Sequence, residues 1–240
     1  MSISKHIPNC ITSLNLLCGV VGITLALEGW YQEAFLCMIA GGIFDFFDGF
    51  SARLLNAWSP IGKELDSLAD QVTFGVLPSV MLFGTLKGSL GIEHPLCWTP
   101  LLIAAFSGLR LAKFNLDERQ VKSFIGLPTP ACAMICGSLA TWISAMPDSA
   151  LTATLTGAWF IPLLSAILCI LLVSGIPMFS MKVQKTDKPD WRMITFFGLA
   201  ILSVSAALVA HLHWSTVILT TFTGYIIINI TGAILKILKK

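Results

Sequence analysis

The 240-residue sequence is poor in charged residues, which make up 12% of the chain, whereas hydrophobic residues make up 55%. Soluble domains carry about a quarter charged residues. The composition therefore excludes an ordinary soluble domain and predicts a single membrane domain over residues 1–240. The sequence also lacks internal repeats and low-complexity tracts.

The seven cysteines and four histidines form no CxxC pair and no cluster with the spacing of metal ligands. Most of the cysteines stand within apolar runs, where they are interpreted as small buried hydrophobic residues. This absence excludes a zinc site or a thiol redox centre built from neighbouring residues. No nucleic acid is expected among the partners.

Long apolar stretches recur along the chain, and a helix needs about 20 mostly apolar residues to cross a bilayer. The predicted spans cover residues 10–27, 33–54, 66–86, 97–115, 128–146, 156–174, 193–211 and 215–235. The predicted fold is therefore all-α, a polytopic membrane helix bundle with eight transmembrane helices.

The basic residues favour an even number of spans. With eight spans, all 15 lysines and arginines except Lys87 fall on one side of the membrane. Cytoplasmic loops are enriched in lysine and arginine. We therefore predict an integral inner-membrane protein with both termini in the cytoplasm.

Four aspartates interrupt the second and third predicted spans, at Asp45, Asp48, Asp66 and Asp70. Each carboxylate within a membrane costs about 2.5–3.5 kcal/mol on insertion scales. The first two share one helix face and the last two share another. A short connection makes the two helices antiparallel neighbours, so the four side chains are expected to converge near the cytoplasmic surface.

Carboxylates without histidine or cysteine suit hard cations such as Mg²⁺, Mn²⁺ or Ca²⁺. Four of them suit a pair of ions that clamps a phosphoryl group during transfer. Two other interpretations stay open, namely a cation-transport site and structural pairing, in which Asp66 caps the start of a helix.

The spacing around these aspartates is Asp45-x2-Asp48-Gly49-x2-Ala52-Arg53-x8-Gly62-x3-Asp66-x3-Asp70. It resembles the signature of the CDP-alcohol phosphotransferase family, and every signature position is filled. The resemblance implies a six-helix catalytic core, here residues 1–175, with residues 190–240 as two additional transmembrane helices. It also implies a cytoplasmic active site, two divalent cations (Mg²⁺ or Mn²⁺) as cofactors, and a homodimer.

The resemblance further implies roles for individual residues. The metal ligands would be Asp45, Asp48, Asp66 and Asp70. Among these, Asp70 would also be the catalytic base.

Small side chains let a nucleotide approach the helix backbone, and the implied nucleotide pocket is lined by Gly49, Ala52 and Gly62. On the first helix, Thr12 and Asn15 are candidates for nucleotide contacts or, alternatively, for an interhelical hydrogen bond. The predicted ligands of phosphate or of the serine carboxylate are Arg53, Arg110 and Lys113. For the last two, simple anchoring at the membrane surface is the alternative.

Further segments resemble one branch of the family, the membrane phosphatidylserine synthases. They are His6–Gly19, Phe74–Ser79, Arg110–Asn115, Phe124–Ala133 and Val173–Lys182. The one departure is Lys113, where arginine is expected. This branch implies transfer of a phosphatidyl group from CDP-diacylglycerol to L-serine, within membrane lipids. Glycerol 3-phosphate and inositol phosphate stay open as other acceptors.

Overall fold

The computed structural model describes residues 6–116, 124–179 and 191–238. The α-helices of these segments are α1 (Ile7–Leu27), α2 (Tyr31–Leu54), α3 (Pro60–Asp70), α4 (Leu77–Leu90), α5 (Leu102–Leu116), α6 (Thr129–Ala145), α7 (Ala150–Leu155), α8 (Phe160–Val173), α9 (Trp191–Val209) and α10 (Trp214–Leu238). A π-helix (Gln71–Val76) joins α3 to α4, a 3₁₀-helix (Pro95–Leu101) precedes α5, and two short strands are β1 (Phe124–Ile125) and β2 (Pro177–Met178).

Within residues 6–116, 124–179 and 191–238, six helical stretches are long and apolar enough to cross a membrane, so the chain is a helical membrane protein. They are Ile7–Leu27, Tyr31–Leu54, Pro60–Leu90, Pro95–Leu116, Trp191–Val209 and Trp214–Lys236. The fifth and sixth predicted spans coincide with shorter apolar helices, Thr129–Ala145 and Phe160–Val173. The 17 residues of α6 reach only about 26 Å. A total of eight spans stays a prediction, as does the division between residues 1–175 and 190–240.

The third membrane helix begins earlier than residue 66, where the sequence pattern placed its start. Pro60 occupies the first turn, where its missing N–H group costs nothing, and the Ser59 side chain accepts a hydrogen bond from Gly62 N at 2.9 Å. Ser59 is thus the helix cap, and Asp66 lies within the helix. The alternative in which Asp66 caps a helix is therefore wrong, because the first turn of α3 contains Pro60 and Gly62, which do not suggest a helix interior.

Close packing around α1 brings the helices that carry the aspartates together. A Cβ atom at Gly19 would approach Thr73 Oγ1 to 2.5 Å, and one at Gly41 would lie 2.9 Å from Asn15 Oδ1. The Thr73 hydroxyl donates to the Asn15 carbonyl at 3.0 Å. Small residues of this kind allow membrane helices to approach closely, and α1 thereby packs against α2, α3 and α4.

The two short strands join the chain ahead of α6 to the chain after α8. Phe124 pairs with Met178, and Ile125 pairs with Pro177, in an antiparallel register. The Gly126 amide then donates to the Ile176 carbonyl at 2.9 Å. The C-terminal helix α10 packs against α9, α6 and β2, so the strands contact the C-terminal pair of helices.

Candidate metal and phosphoryl-transfer site

Three of the four aspartates converge between the C-terminal half of α2 and the C-terminal half of α3. One carboxylate oxygen from each of Asp45, Asp48 and Asp66 lies within 4.8 Å of the other two. The five-residue connection 55–59 turns the chain sharply enough to bring the two helices together. Asp48 is 6% exposed, so the cluster is partly enclosed.

Asp70 lies one helical turn beyond Asp66 along α3. Its carboxylate is close enough to Asp45, Asp48 and Asp66 for charge repulsion from all three. The Asn15 amide Nδ2 donates to Asp70 Oδ1 at 3.2 Å. The fourth aspartate therefore borders the three-carboxylate cluster and is oriented by α1.

A divalent cation fits the chemistry of this donor set. Mg²⁺ and Mn²⁺ prefer oxygen ligands, and octahedral Mg²⁺ holds opposite oxygens about 4 Å apart. The carboxylates of Asp45, Asp48 and Asp66 already lie near this separation. Mutual repulsion at such distances is relieved by a bound cation. These three residues, with Asp70 beside them, are the candidate metal ligands.

The α1 residues predicted to contact nucleotide instead reach the carboxylates. The Thr12 hydroxyl lies 2.6 Å from Asp48 Oδ2 and 3.0 Å from the Pro8 carbonyl, so it donates to one of these oxygens at a time. Thr12 and Asn15 are 3% and 0% exposed. Both form the interhelical hydrogen bonds that the sequence left open as an alternative, and their contact with nucleotide stays a prediction.

The small residues of the signature differ in how much space surrounds them. A Cβ atom at Gly49 would meet nothing within 4 Å, whereas one at Gly62 would lie 3.0 Å from both Asn9 Oδ1 and Ser59 Oγ. Ala52 is buried. Open space at the signature is therefore found beside Gly49, and Gly62 serves the close approach of α1 to α3.

The basic residues predicted to bind phosphate or the serine carboxylate lie in different environments. The Arg53 Nε group donates to the Gly49 carbonyl at 2.9 Å on an exposed surface. Arg110 is only 6% exposed. Its NH1 group donates to Thr129 Oγ1 at 2.9 Å, and its guanidinium lies 5.3 Å from the centre of the Phe114 ring.

Arg110 also lies within electrostatic range of Asp70, whereas Lys113, one turn away, is exposed. Among the basic residues predicted to bind phosphate or carboxylate, Arg110 is therefore the one linked to the aspartate site. Of the other basic residues, Lys5, Arg119, Lys122, Lys182, Lys185, Lys188, Lys239 and Lys240 lie outside the described residues.

Sequence reasoning missed several residues that build the site. The π-helix begins at Gln71, directly after Asp70, and places Thr73 against α1. The sequence sign of this π-helix is Pro78, which lacks the N–H group that a regular α-helix requires at that position. Turns of π-helix occur often at functional sites. Thr129, the partner of Arg110, had only the preceding Pro128 as a sign that a helix starts there.

A family model described as CDP-alcohol phosphatidyltransferase matches residues 5–174 of this chain. This range contains all four aspartates, α1 to α8 and β1. It ends before α9 and α10.

Curated relatives carry one shared description, CDP-diacylglycerol–serine O-phosphatidyltransferase. The protein from Bacillus subtilis (strain 168) is 41% identical over 54% of this chain and 72% of its own length. The protein from Mycobacterium leprae (strain TN) is 33% identical over 89% of this chain and 71% of its own length. The protein from Methanocaldococcus jannaschii is 30% identical over 73% of this chain and 87% of its own length. The similarity to the second relative extends beyond the range of the family model.

Proposed function

Because this chain belongs to the CDP-alcohol phosphatidyltransferase family, we propose that it transfers a phosphatidyl group from CDP-diacylglycerol to L-serine. The products are phosphatidylserine and CMP. The observation that carries the proposal is the convergence of Asp45, Asp48 and Asp66 within 4.8 Å, beside Asp70. The choice of serine rests on the description shared by the relatives from three organisms.

Asp45, Asp48, Asp66 and Asp70 would hold two divalent cations, Mg²⁺ or Mn²⁺. Bound there, the cations would offset the negative charge of the diphosphate and of the leaving CMP. The chain itself keeps the carboxylates in place, because Thr12 binds Asp48 and Asn15 binds Asp70. Such hydrogen bonds to ligating carboxylates orient the ligands of a metal site.

Asp70 has the further role of general base. Its Oδ1 atom is fixed by Asn15, which leaves the second carboxylate oxygen to accept the hydroxyl proton of serine. The serine oxygen then forms a bond to the phosphorus that carries diacylglycerol. The bond from this phosphorus to the bridging oxygen breaks, and CMP leaves with the electron pair. General-base assistance of this kind contributes about 10²–10⁴-fold to a rate.

The nucleotide would occupy the open space beside Gly49, next to the metal ligand Asp48. Ala52, one turn further along α2, has a small side chain and leaves room on the same helix face. Gly62 lets α3 approach α1 closely. The exposed Arg53 at the end of α2 is suited to the phosphate of CMP. The glyceride would then lie towards the membrane and the cytidine towards water.

Arg110 would bind the carboxylate of serine. The acceptor must reach Asp70 with its hydroxyl group, and Arg110 lies within electrostatic range of Asp70. Its guanidinium is held by Thr129 in a buried environment, where a charge-assisted pair with a carboxylate is strong. The exposed Lys113 is suited instead to lipid phosphates at the membrane surface.

The site would open to the cytoplasm of a cell with the protein in its inner membrane. This orientation follows from the one-sided distribution of lysine and arginine. The proposed active form is a homodimer, as the family resemblance implies.

An acceptor screen tests the reaction. Purified protein in mixed micelles with CDP-diacylglycerol and Mn²⁺ is offered labelled L-serine, glycerol 3-phosphate or inositol phosphate, and CMP release and the lipid product are measured. We expect labelled phosphatidylserine that disappears with a chelator and returns with excess Mn²⁺. CMP release driven by glycerol 3-phosphate but not by serine would refute the assignment of the acceptor.

A further inference from the structure

A second buried polar network joins α10 to Phe179, the residue that follows β2. The Asn229 side chain is 0% exposed. Its Oδ1 atom accepts a hydrogen bond from the Phe179 amide at 2.8 Å, and its Nδ2 group donates to the Tyr225 carbonyl at 2.8 Å. The Tyr225 hydroxyl donates to the Phe179 carbonyl at 3.0 Å. Both backbone polar groups of Phe179 are thus bound by side chains of one helix.

The energetic reason for this arrangement is the burial of irregular backbone. Phe179 is 5% exposed and follows directly after β2. It is not part of a helix, so its N–H and C=O groups need other hydrogen-bond partners. Buried peptide groups without partners cost several kcal/mol in a membrane protein. Asn229 and Tyr225 remove that cost, and they fix the position of Phe179 relative to α10.

The Phe179 ring is held by the same pair of C-terminal helices. It lies 5.8 Å from the Phe196 ring of α9 and 5.0 Å from the Tyr225 ring, measured between centroids. The Arg192 guanidinium lies 5.9 Å from the centre of the Phe179 ring, and its NH1 group is 3.5 Å from Asn229 Oδ1. Phe179 is therefore held both by its backbone and by its side chain.

Backbone hydrogen bonds connect the region of Phe179 to the start of α6. β2 pairs with β1, and the Leu127 amide donates to the Leu171 carbonyl at 2.9 Å. Gly126 has φ of +79° and tolerates no Cβ, which would lie 2.6 Å from the Leu172 carbonyl. The chain between β1 and α6 thus has little freedom, and Thr129 stands two residues after Leu127.

Thr129 is the residue that holds Arg110, through the 2.9 Å hydrogen bond between Oγ1 and NH1. α10 therefore acts on Arg110 through Phe179, the two strands and Thr129.

We propose that Asn229 and Tyr225 are positioning residues that set the place of Arg110 and thereby the affinity for the acceptor. The C-terminal helices, which lie outside the range of the family model, are then part of the acceptor site as well as of the membrane anchor. This inference rests on the proposed function, in which Arg110 binds the serine carboxylate.

Two variants of the full-length protein test the inference. Asn229→Leu removes the oxygen that accepts from Phe179, whereas Tyr225→Phe removes one hydroxyl and keeps the ring in its aromatic cluster. The matched control is Thr220→Val, which breaks a hydrogen bond between α10 and Ser203 of α9 on the exposed side of the same helix pair. Each protein is assayed by CMP release, first with serine varied at saturating CDP-diacylglycerol and then with CDP-diacylglycerol varied at saturating serine.

We expect the KM for serine to rise about ten-fold in Asn229→Leu and about three-fold in Tyr225→Phe, following the loss of one or more buried hydrogen bonds. The KM for CDP-diacylglycerol and kcat should stay within about two-fold of the parent, because the loss of a contact that is equally strong in the ground state and the transition state raises KM alone. Thr220→Val should leave all three values unchanged.

A lower melting temperature with an unchanged KM for serine would overturn the inference, since the network would then serve the fold alone. If Asn229→Leu does not fold, the KM of Tyr225→Phe decides the question. An equal rise in the KM for both substrates would also overturn it. Absence of phosphatidylserine synthesis by the parent protein would instead refute the proposed function, so the two failures are distinguishable.

Discussion

Two parts of this membrane protein bury polar side chains in opposite ways. At the junction of α1, α2 and α3, Thr12 and Asn15 donate to the carboxylates of Asp48 and Asp70. Near α10, Asn229 and Tyr225 bind the backbone of Phe179 instead. The first group concentrates negative charge, whereas the second pairs uncharged side chains with the backbone and has the cation Arg192 at its edge.

The difference separates a ligand site from a structural network. Neutral hydrogen bonds inside a low-dielectric interior are complete without an external partner. Three carboxylate oxygens within 4.8 Å repel one another, and a neutral hydroxyl such as that of Thr12 does not cancel their charge. The carboxylate cluster is therefore suited to a cation, and substitutions there should affect turnover far more than folding.

The largest expected effect comes from Asp70→Asn. The variant keeps an oxygen that accepts from Asn15 but loses the ability to take the serine proton. We expect the rate of CMP release to fall by about 10²–10⁴-fold. The melting temperature in the presence of a chelator should stay the same or rise, because one of four mutually repelling charges is gone.

The matched control for this prediction is Asp148→Asn, an aspartate in the connection between α6 and α7. It should leave both turnover and melting temperature unchanged. Near-normal turnover of Asp70→Asn would exclude a base at this position. A large fall in its melting temperature would contradict the contrast between the two regions, since the aspartate would then stabilise the fold.

The carboxylate cluster was predictable from the sequence because its cause is local. Spacing of three or four residues places Asp45 with Asp48 and Asp66 with Asp70 on helix faces, and a short turn must bring consecutive helices together. The structure brings the first three together as this reasoning requires. The apolar spans were predictable for the same reason, since membrane insertion depends on the composition of each segment.

The network around Asn229 was not predictable, because its members come from distant parts of the chain. Phe179 and Asn229 are 50 residues apart, and an asparagine in an apolar helix does not reveal its partner. The short strands and the π-helix after Asp70 also depend on tertiary contacts, namely those of Leu127 with α8 and of Thr73 with α1. Local sequence patterns contain little information on such contacts.

Gly49→Leu should have the next largest effect. The added side chain enters the open space beside Gly49, next to the candidate metal ligand Asp48, where we place the nucleotide. We expect the KM for CDP-diacylglycerol to rise about ten-fold, equivalent to about 1.4 kcal/mol, with the KM for serine nearly unchanged. Initial rates with each substrate varied in turn measure this effect.

Gly88→Leu is the control, since a Cβ atom at Gly88 also meets nothing within 4 Å but lies at the far end of α4. Both variants add the same apolar volume to an open position. If both raise the KM for CDP-diacylglycerol equally, the change reflects general disturbance of the bundle. An unaltered KM in Gly49→Leu would place the nucleotide elsewhere.

The smallest effect is expected from Thr12→Val, which tests whether a hydrogen bond to the cluster serves the cation or the fold. Valine has the shape of threonine but cannot donate to Asp48, so the carboxylate becomes less fixed. We expect the Mn²⁺ concentration for half-maximal activity to rise about three-fold, a modest loss for one hydrogen bond. Thr24→Val, which removes only a bond to the Val20 carbonyl on the exposed face of α1, should not change it. An equal Mn²⁺ requirement in both variants would show that Thr12 fastens α1 to α2 and leaves the cation site unaffected.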